Sequence, residues 1–181
     1  SSAASDVYKR QILNTAHAQA IGFELGVLDI IENEDDAVGY LGPDLLGPGW
    51  DPDVALANLE SDPARPVGLA LLDQRNIAGL GNVYRNEICF LRGVDPRTPV
   101  ADAGNLKKTI DLSYRLIMAN KDRNQRVTTG DRRPGRHFWV YGRENKPCRR
   151  CGTTIEFGLI GDNPLEERQI YYCPHCQRGP V

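Results

Sequence analysis

The sequence contains no apolar run approaching the roughly eighteen residues that a membrane-spanning helix needs, and its start carries no basic, apolar, small-residue leader. These two absences point away from a membrane protein and from export, and a cytoplasmic location is the default expectation. No internal repeat is visible, and no initiator methionine opens the chain. Hydrophobic residues make up 40% of the 181 positions, enough to pack one ordinary domain or two small ones but slightly low.

Charge of one sign is also scarce on average, with a formal net charge of −2. Along the chain it is polarised. Residues 1–64 hold two Lys/Arg against twelve Asp/Glu, whereas residues 121–150 hold ten against three. A basic run is either a solvated face or a surface that tracks phosphates. Neighbouring motifs must choose between them.

Ser1 to Gln11 shows neither periodicity nor a cap and reads as a non-native junction, outside the fold. From Ile12 to Ile31, apolar residues alternate with Ala20, Gly22, Glu24 and Gly26, which reads as one or two β-strands. A pair of strands is not stable alone in water, so their partners are either supplied elsewhere or missing, and the second is expected. The Gly- and Pro-rich acidic stretch over 34–50 reads as a linker.

Helix signals follow. Asp51-Pro52 supplies an N-cap and a first-turn proline for a short helix, and Pro66 opens a second running to Asp73. The spacing of Tyr84, Ile88 and Leu91 predicts a third helix from Asn82 to Arg92, stopped at Gly93. Leu106, Ile110, Tyr114 and Ile117 predict a fourth between Asn105 and Asn120. Arg126 to Arg136 reads as a mobile basic connector. The residues from Phe138 onward combine aromatics, β-branched residues and cysteines, as a small β-rich metal domain does.

Cys148-x-x-Cys151 and Cys173-x-x-Cys176, twenty-one residues apart, are the strongest chemical signal. Two such turns facing each other place four thiolates at the corners of a tetrahedron, the outline of a structural zinc ribbon. The separation exceeds the usual 15–20 residues or so, which an extended hairpin tip at Gly161 to Pro164 accommodates. Disulfides need an oxidising compartment, which nothing suggests. His175 lies inside the second pair as a bystander, and the fifth cysteine, Cys89, reads as a small core hydrophobe. With four protein ligands no position is open for a metal-bound water, so metal-assisted hydrolysis is not expected.

The second signal is Gln74-Arg75-Asn76-Ile77-Ala78-Gly79-Leu80-Gly81-Asn82 between two predicted helices. Gly79 and Gly81 let backbone N–H groups approach a ligand, the next helix N-terminus favours an anion, and Asn82 adds an amide donor. A tight helix corner explains the two glycines equally well. A dinucleotide fingerprint is excluded, because the third glycine and the preceding strand are absent.

Taken together, LLDQRNIAGLGNVYRNEICFLRGVDPRTP resembles the helix–two-turn–helix motif of the Fpg/Nei family of DNA glycosylases. HFWVYGRENKPCRRCG and ERQIYYCPHCQRG resemble the C-terminal zinc finger of the same family. The resemblance covers about residues 43 to 179, and actinobacterial endonuclease VIII-like members look nearest. It implies a role for Asn82 on a lesion phosphate and for Arg168, five residues before Cys173, on the flanking phosphates. It implies duplex DNA, damaged or abasic, as the partner of a monomeric bifunctional glycosylase/lyase. The family's catalytic N-terminal proline and adjacent glutamate have no counterpart at Ser1-Ser2, so no catalytic residue is named and the chain is expected to bind DNA weakly without cutting it.

The expected architecture is an α+β multidomain fragment. It comprises remnant strands of a catalytic β-sandwich (12–33), the linker, a helical DNA-binding domain (51–125), a basic connector (126–139) and a zinc ribbon (140–181). The alternatives are a zinc-ribbon nucleic-acid adaptor without a repair role and a protein-interaction module stabilised by zinc. The helical motif upstream of the cysteines argues against the first of these.

Overall fold

The computed structural model describes residues 9–23, 32–33 and 37–178. Two compact units divide between Gly39 and Tyr40. In the first, strand β1 (Lys9–Asn14) pairs antiparallel with β2 (Gln19–Phe23), Leu13 opposite Ala20 and Asn14 opposite Gln19. Thr15 closes the turn, its hydroxyl oxygen accepting from the Ala18 amide at 2.9 Å. Strand β1 starts at Lys9, so Lys9 to Gln11 take part in the ribbon although the sequence reading set them aside with the junction. The rest of that junction, 1–8, and the expected strand residues 24–31 lie outside the described residues. Ile12, Leu13 and Ile21 are exposed on the ribbon.

The second unit, from Tyr40 onward, contains helices α1 (Pro52–Glu60), α2 (Val67–Ala70), α3 (Asn82–Arg92) and α4 (Leu106–Met118), then strands β3 (Glu156–Ile160) and β4 (Arg168–Tyr172). Asp51 caps α1 through its carboxylate, which accepts from the Asp53 and Val54 amides at 2.9 and 3.2 Å. Asn105 does the same for α4 through the Lys108 amide at 3.0 Å. Gly93 ends α3 in the left-handed region at φ 71°, where a side chain would be strained. Helix α2 is shorter than expected. Beyond it the Leu72 amide bonds back only three residues, to the Leu69 carbonyl at 3.0 Å, and the tightened chain turns into the loop before α3.

Two connecting segments differ from expectation. The stretch read as a linker is built into the helical unit from Gly42 onward: the Gly42 amide donates to the Gln74 carbonyl at 2.9 Å, and Leu45 is almost fully buried. The connector after α4 is equally anchored. Asn120 holds the Val127 amide at 2.8 Å and the Val127 carbonyl at 3.0 Å, and the Thr128 amide donates to the His137 carbonyl at 2.9 Å. Turn-forming composition and positive charge suggested mobility there. One partner, the Glu87 carboxylate on α3 that accepts from the Thr128 hydroxyl, lies 41 positions away and leaves no local mark in the sequence.

Helix α3 is the organising element. Seven successive residues from Tyr84 to Phe90 are buried, so it is covered all round rather than along one stripe. Its Ile88 and Cys89 join the core of the helical bundle with Leu45, Leu59, Leu71, Ile77 and Ile110, while Phe90 packs against Val140, Cys148, Ile155 and Cys173. The β3–β4 hairpin pairs Glu156 with Tyr172 and Ile160 with Arg168, and its apolar face closes on Leu69 of α2. The helices and the cysteine-bearing hairpin therefore share one compact unit with α3 in its middle. Among the described residues, no helix is long and apolar enough to cross a membrane.

Candidate functional site

Cys148, Cys151, Cys173 and Cys176 come together with all four Sγ atoms within 4.8 Å of one another. The Cys148–Cys176 and Cys151–Cys173 sulfur separations are 4.0 and 3.5 Å. A tetrahedral ion bound at about 2.3 Å places its sulfurs about 3.8 Å apart, so the four cysteines could hold one metal ion with little adjustment. Backbone bonds shape both turns: the Gly152 amide returns to the Cys148 carbonyl at 2.9 Å and the Gln177 amide to the Cys173 carbonyl at 2.9 Å. The buried Gln177 side chain accepts from the Cys173 amide and donates to the Val94 carbonyl, both at 2.9 Å, which moors the second turn just beyond α3. His175 is exposed and outside the cluster, while Cys89 is fully buried in the helical core.

The glycine corner is shaped by Gln74. Its amide group donates to the Leu72 and Leu80 carbonyls at 3.1 and 2.8 Å, and its oxygen accepts from the Gly79 amide at 2.9 Å. The Gly79 N–H is thereby engaged within the loop, and the left-handed φ of 97° at this residue gives glycine its conformational role. Gly81 is extended and exposed. It is the N-cap of α3 with no side-chain cap bond, so no side chain of the cap satisfies the first-turn amides.

Asn82 and Arg168, far apart in sequence, meet at this corner. Asn82 Nδ2 donates to the carbonyl of Gln169, the residue after Arg168, at 3.1 Å. The same carbonyl accepts from Arg85 at 3.0 Å and from Asn86 at 3.2 Å, and Asn86 Oδ1 accepts from the Tyr171 amide at 2.7 Å. Three polar residues of α3 thus bind the edge of β4. The Arg168 side chain is exposed, and the bond drawn by its guanidinium goes to the neighbouring Glu167 carbonyl at 3.2 Å. Beside it, Arg65 bridges Asp73 and Asp162, each at 2.7 Å, tying the hairpin tip to the helical corner around a cavity of about 260 Å³.

Further along α3, the buried carboxylate of Glu87 accepts from the Trp139, Val140 and Tyr141 amides at 2.8, 2.9 and 2.9 Å, and from the Thr128 hydroxyl. Burial pushes its carboxyl above the usual range, opposed by those four bonds. Sequence reasoning missed Gln74, Arg85, Asn86 and Glu87. A polar residue inside a helical pattern reads as solvent-facing unless its partners are known.

The basic segment divides in two. Arg143, Arg149 and Arg150 are structural: Arg143 donates to the Trp139 and Pro147 carbonyls, Arg149 to those of Phe138 and Gly135, and Arg150 lies 4.4 Å from the Phe90 ring centre. Arg133 pairs with Asp131 at 2.6 Å. Lys121, Arg123, Arg126, Arg132, Arg136 and Lys146 remain exposed.

Residues 41–117 match the model of the formamidopyrimidine-DNA glycosylase H2TH domain. The chain is 51% identical to a probable endonuclease 8 2 of Streptomyces coelicolor, over 95% of this chain and 63% of that protein. It is 50% identical to the DNA-(apurinic or apyrimidinic site) lyase Nei2 of Mycolicibacterium smegmatis, over 93% of this chain and 66% of that protein. It therefore spans somewhat under two thirds of these relatives. Among solved structures, MutM (Fpg) of Thermus thermophilus superimposes with a TM-score of 0.71 at 24% identity, covering 96% of this chain and 70% of that one. Fpg of Lactococcus lactis, in complex with DNA containing an abasic site, matches 77% of this chain and 52% of its own with a TM-score of 0.57 at 23% identity. Through its helix–two-turn–helix domain and the sequence that surrounds it, the chain belongs to the Fpg/Nei family.

Proposed function

We propose that the chain is the DNA-binding and zinc-finger portion of a base-excision DNA glycosylase/AP lyase, acting on damaged or abasic duplex DNA. The observation that carries this reading is the bond from Asn82 to the Gln169 carbonyl. It brings the half-buried amide of a residue in the first turn of α3 beside the strand that carries an exposed arginine, two donors suited to adjacent phosphates of one strand. The metal is zinc, held by Cys148, Cys151, Cys173 and Cys176. It supplies folding energy to the hairpin that carries Arg168 and takes no part in bond breaking. The exposed cations between Lys121 and Lys146 add sequence-independent attraction.

Fluorescence anisotropy with a duplex carrying one abasic-site analogue tests the proposal. Affinity changes with salt by about −0.9 in log–log slope per neutralised phosphate, so three such contacts give roughly a fortyfold loss for a fourfold rise in salt. Arg168→Glu is expected to weaken binding and flatten that slope while metal content stays at one ion per chain. Salt-insensitive binding, or an Arg168→Glu variant that binds normally, would remove the reading.

A further inference from the structure

Arg85 stands out in the second unit. It is a guanidinium with no exposed surface, its Nε is buried without a hydrogen-bond partner, and among the described residues it forms no ion pair. An unpaired buried charge is costly. Desolvation, with a smaller contribution from the charge on Arg168, lowers its pKa to about 10, which leaves the group protonated at neutral pH. Two cations that feel each other across the Gln169 peptide, with no carboxylate pairing Arg85, make a corner that an anion would stabilise.

The hydrogen bonds say how the corner is set. Arg85 Nη2 donates to Asn82 Oδ1, as does Asn86 Nδ2 at 3.3 Å, so the oxygen side of the Asn82 amide is held from within the helix and Nδ2 is the side turned to β4. The Gln169 carbonyl meanwhile faces three N–H donors, from Asn82, Arg85 and Asn86. A carbonyl oxygen has two lone pairs, so one donor is surplus. Arg85 and Asn86 are buried, whereas Asn82 is half-buried at the surface. Asn82 Nδ2 is the donor that can leave without orphaning the carbonyl.

We propose that Arg85 is a positioning residue for phosphate capture: it holds the Asn82 amide by its oxygen, leaving the N–H₂ group on the β4 side, and satisfies the Gln169 carbonyl, so that Asn82 Nδ2 passes from Gln169 to a phosphate oxygen at little cost. This rests on the DNA-binding reading above and adds a residue to it. Arg85 itself stays beneath the surface and lends its charge through Asn82 and the β4 backbone.

A double-mutant cycle with the abasic-analogue duplex tests the proposal, using Arg85→Met, which keeps the stem and removes the charge, and Asn82→Ala. Losing one positioned contact to a charged partner is expected to cost about tenfold in affinity. In the Arg85→Met background, Asn82→Ala should add less than about threefold, because Asn82 is then needed by Gln169. A merely structural Arg85 would lower thermal stability but leave the affinity of the folded, metal-loaded protein unchanged and the two losses multiplicative, and that result overturns the proposal. Arg85→Lys keeps the charge but not the fork, and serves if the Met variant fails to retain metal. Intermediate, non-multiplicative coupling in its cycle supports the proposal, and fully multiplicative losses refute it. If the unsubstituted chain binds without salt sensitivity, or Arg168→Glu has no effect, the underlying reading fails and the inference falls with it. Normal behaviour in those controls with no Arg85–Asn82 coupling defeats the inference alone.

Discussion

Glu87→Gln is the substitution that most directly tests how the segment leading into the cysteines is joined to the helices. Four donors converge on this carboxylate, two on each oxygen: Val140 and Tyr141 on Oε1, Trp139 and Thr128 on Oε2. Glutamine keeps the shape but replaces one acceptor by an N–H₂ group. Whichever way the amide turns, at least one backbone N–H faces a donor inside a dry site. Hydrogen bonds to a charged group contribute about 1.5–3 kcal/mol each. Losing one fully and weakening the others by removal of the charge gives about 3 kcal/mol. At roughly 2–4 °C per kcal/mol for a chain of this size, the melting temperature should fall by about 6–12 °C. Thermal and urea unfolding of the metal-loaded protein measure the loss. Hydrogen exchange locates it, with the Trp139 to Tyr141 amides losing protection before those of α4. A change under about 0.5 kcal/mol, or exchange that rises uniformly, would show that the 139–141 segment is held by apolar packing on Phe90 rather than by Glu87.

Three further outcomes follow from the geometry. Cys151→Ala should abolish stoichiometric metal binding, read by elemental analysis, and make β3–β4 sensitive to protease while α1 to α4 persist. Gly79→Ala, at φ 97°, should cost about 1–2 kcal/mol in urea unfolding because a Cβ strains the left-handed region. Burial raises the Asp73 pKa, but the Arg75 amide and the Arg65 guanidinium outweigh it and hold it below the usual carboxylate range. A depressed folded pKa gives stability that is present above the unfolded value, about 3.9, and lost as pH falls through the folded one. Asp73→Asn should therefore flatten the acid limb of the stability profile below about pH 4, and an unchanged limb would exclude Asp73 as a contributor.

What the residues disclosed by themselves was local. Asp51, Asn105 and Gly93 marked helix ends because capping is a matter of adjacent backbone groups. The Cys-x-x-Cys pairs announced a cluster of four sulfurs that could hold a metal ion, because thiolates at that spacing can serve one ion from one turn. Asn82 and Arg168 were named through resemblance to a family, without knowledge of what lay between them.

The tertiary structure decided which polar groups are buried and with whom. Arg85, Asn86 and Glu87 occupy consecutive helical positions, where composition favours a solvated face. All three are buried because Gln169, Tyr171 and the 139–141 backbone arrive from at least fifty positions away in the chain. Other contacts distant in sequence, from Gly42 to Gln74 and from Thr128 to Glu87, anchor the expected linker from Gly42 onward and the expected mobile connector. Periodicity records what a residue prefers to face, whereas hydrogen-bond complementarity depends on segments that meet only after the chain has folded.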